Sequence, residues 1–114
     1  MMIDFKAFAP FAFAALLTAA AGVHAQDVKE YALTINNHVF EPTELRVPAN
    51  QRFKLVVTNQ DTTPEEFESK SMKLEKVIAP GKSASLFAGP LAAGRYPFEG
   101  EFHSKTARGV VIAE

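Results

Sequence analysis

Three glutamates, Glu65, Glu66 and Glu68, crowd one short stretch of this chain, and two imidazoles, His38 and His103, lie on either side of it in sequence. Side chains of an extended segment alternate between faces, so Glu66 and Glu68 share one side while Glu65 lines up with Phe67 and Ser69. Like charges on one face repel unless a cation or a basic partner sits among them. A solvated face neutralised by Lys70, Lys73 or Lys76 is the competing reading. Imidazole suits copper, zinc and iron, and carboxylate adds affinity for harder ions. Glu66, Glu68, Glu101, His103 and His38 are therefore candidate metal ligands. Met72 offers a soft thioether, against its alternative as a core side chain. Glu75 and Glu99 read as surface charges.

Composition removes many other chemistries. The 114 residues include no cysteine, which excludes disulfides, thiolate metal sites, iron–sulfur clusters and cysteine nucleophiles. Twelve basic residues stand against thirteen acidic ones, leaving no basic stripe for nucleic acid. There is no glycine-rich phosphate loop, and no serine has a recognisable nucleophile context. The length allows one domain at most.

Residues 1–25 are a different material from the rest. Lys6 precedes an apolar run from Ala7 to Ala21, and Val23-His24-Ala25 ends it with small residues at the outer positions. This pattern predicts a secretory signal peptide over 1–25 and a periplasmic domain over 26–114. The run is shorter than the roughly twenty apolar residues of a spanning helix, so no membrane insertion of the mature chain is expected. His24 leaves with the signal, and His38 and His103 remain.

The mature chain reads as short alternating segments. Tyr31, Leu33 and Ile35 alternate with polar or small residues, as do Phe53, Leu55 and Val57, the mark of half-buried strands. Glu44–Val47, Glu65–Ser69, Leu74–Ile78, Ala84–Ala88, Arg95–Glu99 and Gly109–Ala113 are further strand candidates, separated by turn signals such as Pro80-Gly81 and Gly89-Pro90. Lys70–Lys76 is compatible with a single helical turn. Such spacing predicts an all-β sandwich or barrel. Pro97 conflicts with this pattern, because proline cannot donate to a ladder; either its ring nitrogen faces an open edge or the strand breaks there.

Several phrases, in this order, resemble the cupredoxin family. Asn37-His38-Val39-Phe40-Glu41-Pro42 with Leu45-Arg46-Val47-Pro48-Ala49 is similar to the family's opening, and Phe53–Asn59 with Thr63-Pro64 to the strand leading into its first ligand loop. Gly94-Arg95-Tyr96-Pro97-Phe98 and Gly109–Ala113 are similar to its last two strands. The resemblance implies a cupredoxin-like Greek-key β-sandwich of about seven to eight strands, with the loop of His38 packed beside the loop of His103. It also sets out what is missing. Glu65 stands where blue-copper members carry a histidine ligand, Gly100 where they carry cysteine and Arg108 near the methionine, so only His103 keeps a ligand position. A type 1 blue-copper centre requires the two histidines and the cysteine and is not expected.

Thr63–Ser69, Glu75–Ile78, Gly100–His103 and Thr106–Gly109 resemble more narrowly the small periplasmic cupredoxin-like proteins of bacterial ferrous-iron uptake systems. That resemblance implies a bound copper and/or iron ion and a partner that is a membrane iron permease or a periplasmic iron-uptake component. The role would be ion or electron transfer, with ferrous oxidation coupled to transport rather than catalysis by this chain alone. A copper chaperone, or a sandwich that docks a protein without metal, are the alternatives.

Overall fold

The computed structural model describes residues 28–114; the expected signal peptide lies outside them. Among the described residues there are nine strands: β1 (Lys29–Asn36), β2 (Val39–Glu41), β3 (Glu44–Val47), β4 (Phe53–Asn59), β5 (Glu65–Ser69), β6 (Leu74–Ile78), β7 (Ser83–Ala88), β8 (Gly94–Gly100) and β9 (Arg108–Ala113). A single 3-10 turn, Glu101–His103, follows β8. No described helix is long and apolar enough to cross a membrane. The strands form two sheets, β2-β1-β4-β7 and β3-β9-β8-β5-β6. β1 runs parallel to β4 and β3 parallel to β9, and every other pairing is antiparallel.

The all-β sandwich follows from the alternation. Leu33 and Ile35 of β1 and Phe53, Leu55 and Val57 of β4 point inward, and Phe67, Phe98, Val111 and Ala113 meet them from the second sheet. Phe40, Phe67 and Phe98 form an aromatic cluster, with ring centroids 5.1 Å apart for Phe40–Phe98 and 5.3 Å for Phe67–Phe98. Phe67 lies two residues beyond Glu65 and Phe98 two residues before Gly100, so period two sets the same strand faces beneath both positions. The aromatic cluster thus lies directly beneath the site.

Two expectations change. The strand total exceeds seven to eight because β1 returns into the three-residue β2 across the two-residue turn Asn37-His38, whose φ angles are 56° and 61°. Two successive positive φ values are what tight two-residue hairpins require, and glycine usually announces them; histidine conceals this one. Pro97, in turn, neither breaks β8 nor lies on an edge strand. It pairs with Val110 of β9, while β5 meets β8 only at Gly100 and Glu99. Its carbonyl, facing β5, accepts the Ser69 hydroxyl at 2.8 Å. The ring nitrogen faces the same way, where the ladder has already stopped, so no hydrogen bond is lost.

Candidate metal centre

β5 carries its acidic residues on both faces. Glu65, Phe67 and Ser69 are buried, and Glu66 and Glu68 are half-buried on the outer face. A buried carboxylate must have its oxygens satisfied, and Glu65 does. Oε1 accepts the backbone N–H of Glu66 and of Phe102, each at 2.9 Å, and Oε2 lies 2.7 Å from His103 Nδ1. The carboxyl lies against Gly100: a Cβ there would come within 2.6 Å of Glu65 Cδ and 2.8 Å of the Ala107 Cβ. Glycine at 100 is what admits the glutamate.

The loop between β8 and β9 sets His103. Its carbonyl accepts the N–H of Ala107 at 2.9 Å, and the carbonyl of Ala107 accepts the N–H of Gly100 at 2.9 Å. His38 comes from the β1–β2 turn. Asp61, beyond β4, accepts the N–H of Asn37 at 2.6 Å and of His38 at 3.0 Å, and the Thr106 hydroxyl donates to the His38 carbonyl at 2.6 Å. The two imidazoles stack with centroids 3.5 Å apart and planes 11° from parallel. They share a surface depression with Glu101, Phe102, Ser104, Lys105 and Thr106.

Beside them lies a carboxylate cluster. The oxygens of Glu66, Glu75 and Glu101 all come within 4.8 Å of one another. Register concentrates the charge further: Glu68 pairs with Glu75 of β6 on one side and with Glu99 of β8 on the other. Glu99 has Arg108 at 3.7 Å. Among the described residues no basic nitrogen lies within 4.0 Å of Glu66, Glu68, Glu75 or Glu101, which disfavours neutralisation by the neighbouring lysines. Crowding instead makes two of the acids harder to ionise. A hydrogen bond with Glu75, then desolvation and the charges of Glu75, Glu101 and Glu68, push Glu66 up to about 7. Glu101 is raised by its hydrogen bond with Glu68 first, then by the Glu68 charge.

The sequence-predicted residues therefore fall into three places. His38 and His103 meet as a stacked pair, and Glu66, Glu68 and Glu101 belong to the acidic cluster. Met72 packs into the core, its N–H donating to Ser69 Oγ at 3.2 Å, and it lines neither the imidazole depression nor the carboxylates. Glu75 is exposed, as expected of a surface charge, yet is a full member of the cluster. Glu65 and Asp61 were missed as site residues. The alternation that grouped Glu65 with Phe67 and Ser69 already marked it as facing inward. No sequence signal joins Asp61 to a turn more than twenty positions away.

A family model described as the cupredoxin-like domain matches residues 8–113. The chain belongs to the cupredoxin-like domain family. It is 37% identical over 86 residues to an uncharacterised protein of Rickettsia prowazekii (strain Madrid E), an alignment covering 75% of this chain and 69% of that one. Among solved structures it is similar to auracyanin B, with a TM-score of 0.67 at 15% identity, covering 81% of this chain and 94% of that one. It is also similar to a single-site mutant of amicyanin in its Cu(I) form, with a TM-score of 0.60 at 21% identity over 83% and 89% of the two chains. A purple cupredoxin from Nitrosopumilus maritimus is similar at a TM-score of 0.56 and 18% identity, over 77% of this chain and 100% of that one. These likenesses establish the fold. Copper in a blue-copper arrangement does not suit the residues present. The Glu65 carboxyl fills the space over Gly100, the one ring nitrogen of His103 that faces inward already meets it, and the Arg108 guanidinium is engaged by the Ser104 carbonyl at 2.7 Å.

Proposed function

We propose that this chain is an exported metal-binding accessory protein supporting ferrous-iron uptake, which passes an ion or an electron to a membrane permease. The observation that carries the reading is the convergence of Glu66, Glu75 and Glu101 within 4.8 Å, with no basic partner among the described residues. Carboxylate oxygens suit hard divalent ions, and the neighbouring imidazoles of His38 and His103 suit copper or iron. The cupredoxin-like fold agrees with a small metal-binding or electron-transfer role, and the expected signal peptide over 1–25 with a periplasmic location. The imidazole pair taken alone favours a second reading, a periplasmic copper chaperone using the same end of the sandwich.

Calorimetric titration with manganese(II), as a stand-in for ferrous iron, and with copper(II) tests the reading. Glu66→Ala is expected to weaken manganese(II) binding, and His103→Ala copper(II) binding, each at least about tenfold, since metal affinity depends on the full ligand set. Apo stability should fall by about 1–3 kcal/mol on His103→Ala, because the substitution leaves Oε2 of the buried Glu65 without its partner. Manganese dependence on Glu66 with indifference to His103 supports the iron reading; copper dependence on His103 alone supports the chaperone. Wild-type protein that binds neither ion at micromolar concentration excludes both.

A further inference from the structure

The contact between Glu65 and His103 decides which ring nitrogen remains for a ligand. An ionised carboxylate accepts at both oxygens and donates from neither. Glu65 Oε1 is occupied by two backbone N–H groups, and Oε2 meets His103 Nδ1 at 2.7 Å with only 3% of the glutamate side chain exposed. A neutral His103 therefore carries its proton on Nδ1 and donates it inward. Its Nε2 then holds the lone pair, has no hydrogen-bond partner among the described residues, and belongs to a side chain that is 26% exposed. The ring is not free to turn. His38 covers one face at 3.5 Å, and His38 is itself pinned at its N–H by Asp61 and at its carbonyl by Thr106.

We propose that His103 Nε2 is the nitrogen donor of a surface site for a divalent transition metal, in the depression it shares with His38 and Glu101, and that Glu65 is its positioning residue. Glu65 does not touch the ion. It fixes the tautomer and direction of the imidazole from behind, as a carboxylate backing a ligating histidine does. The space over Gly100 is filled by the Glu65 carboxyl, so the ion sits on the far side of the imidazole, toward solvent. The ligand face is thereby turned outward by one buried side chain. This inference rests on the metal-binding reading and specifies its nitrogen ligand.

Long-range proton–nitrogen correlation spectra of the 15N-labelled protein near neutral pH, before and after zinc(II), test it. The expected apo spectrum has His103 protonated at Nδ1 and lone-paired at Nε2. Zinc should move the Nε2 resonance of His103 and leave Nδ1 protonated. Glu65→Gln, which keeps the volume, should weaken zinc binding about 10- to 100-fold. A proton on Nε2 in the apo wild type, or zinc on Nδ1, overturns the proposal even if the variant fails to fold. A folded Glu65→Gln protein that binds zinc within about twofold of wild type removes the role of Glu65. Zinc that perturbs only the carboxylates of Glu66, Glu75 and Glu101 overturns the proposal and leaves the metal-binding reading standing. An absence of any zinc binding overturns both.

Discussion

Glu65 shows how one inward-facing acid reorganises its neighbours. Its oxygens take two backbone N–H groups and an imidazole, and the space for them exists because residue 100 has no side chain. Gly100→Ala is expected to destabilise by about 1–3 kcal/mol, the usual cost of forcing extra volume into a filled space, read as a lowered midpoint in urea. A midpoint equal to wild type would mean that the carboxyl moves aside freely. Glu66 carries a second prediction. It holds its proton more tightly in the folded chain, at about 7, than at its ordinary value of 4.5. Between those values the folded state binds more protons than the unfolded state, so stability falls as pH rises through that window. The melting temperature of the metal-free protein should drop across it, and Glu66→Gln should flatten the drop. A wild-type profile that rises there would show that Glu66 is no harder to ionise in the folded chain.

At the scale of elements, the β1–β2 hairpin and the β6-β5-β8 ladder each hold a costly arrangement. Non-glycine residues with positive φ are uncommon, yet Asn37 and His38 are adjacent in that region at 56° and 61°. Asp61 holds both N–H groups, which is why the turn persists. Backbone strain kept where a side chain is presented points to use of that side chain. His38→Gly is expected to leave stability unchanged or raise it by up to about 1 kcal/mol, while lowering affinity for copper(II). A loss of more than about 1 kcal/mol would mean that the stack with His103, and not the turn, is what His38 serves. The ladder sets Glu75, Glu68 and Glu99 side by side, an alignment of like charges that opposes strand pairing. A divalent cation should therefore raise the melting temperature well beyond what monovalent salt at equal ionic strength achieves, and the two giving equal shifts would argue against a specific ion site.

For the whole molecule, the two sheets close on an aromatic cluster directly under the site. Phe67 is fully buried between Phe40 and Phe98, and Phe67→Ala is expected to cost about 3–5 kcal/mol, measured by chemical denaturation. With no cysteine in the sequence, copper(II) should produce no intense blue thiolate band, and its appearance would contradict the ligand set outright.

Alternation, turn residues and the missing cysteine determined the all-β sandwich, the bounds of most strands and the exclusion of a thiolate copper centre, because each is a local property of neighbouring residues or of composition. The family resemblance already placed the loop of His38 beside that of His103, but the face-to-face stack of the two rings, the inclusion of Glu75 in the cluster and the burial of Glu65 against Gly100 were decided only by tertiary structure. Each depends on strand register and loop packing between segments distant in sequence. Register is a collective outcome of which faces the sandwich buries, so no single stretch of chain encodes which acids will face one another across a ladder or which nitrogen of His103 will face outward.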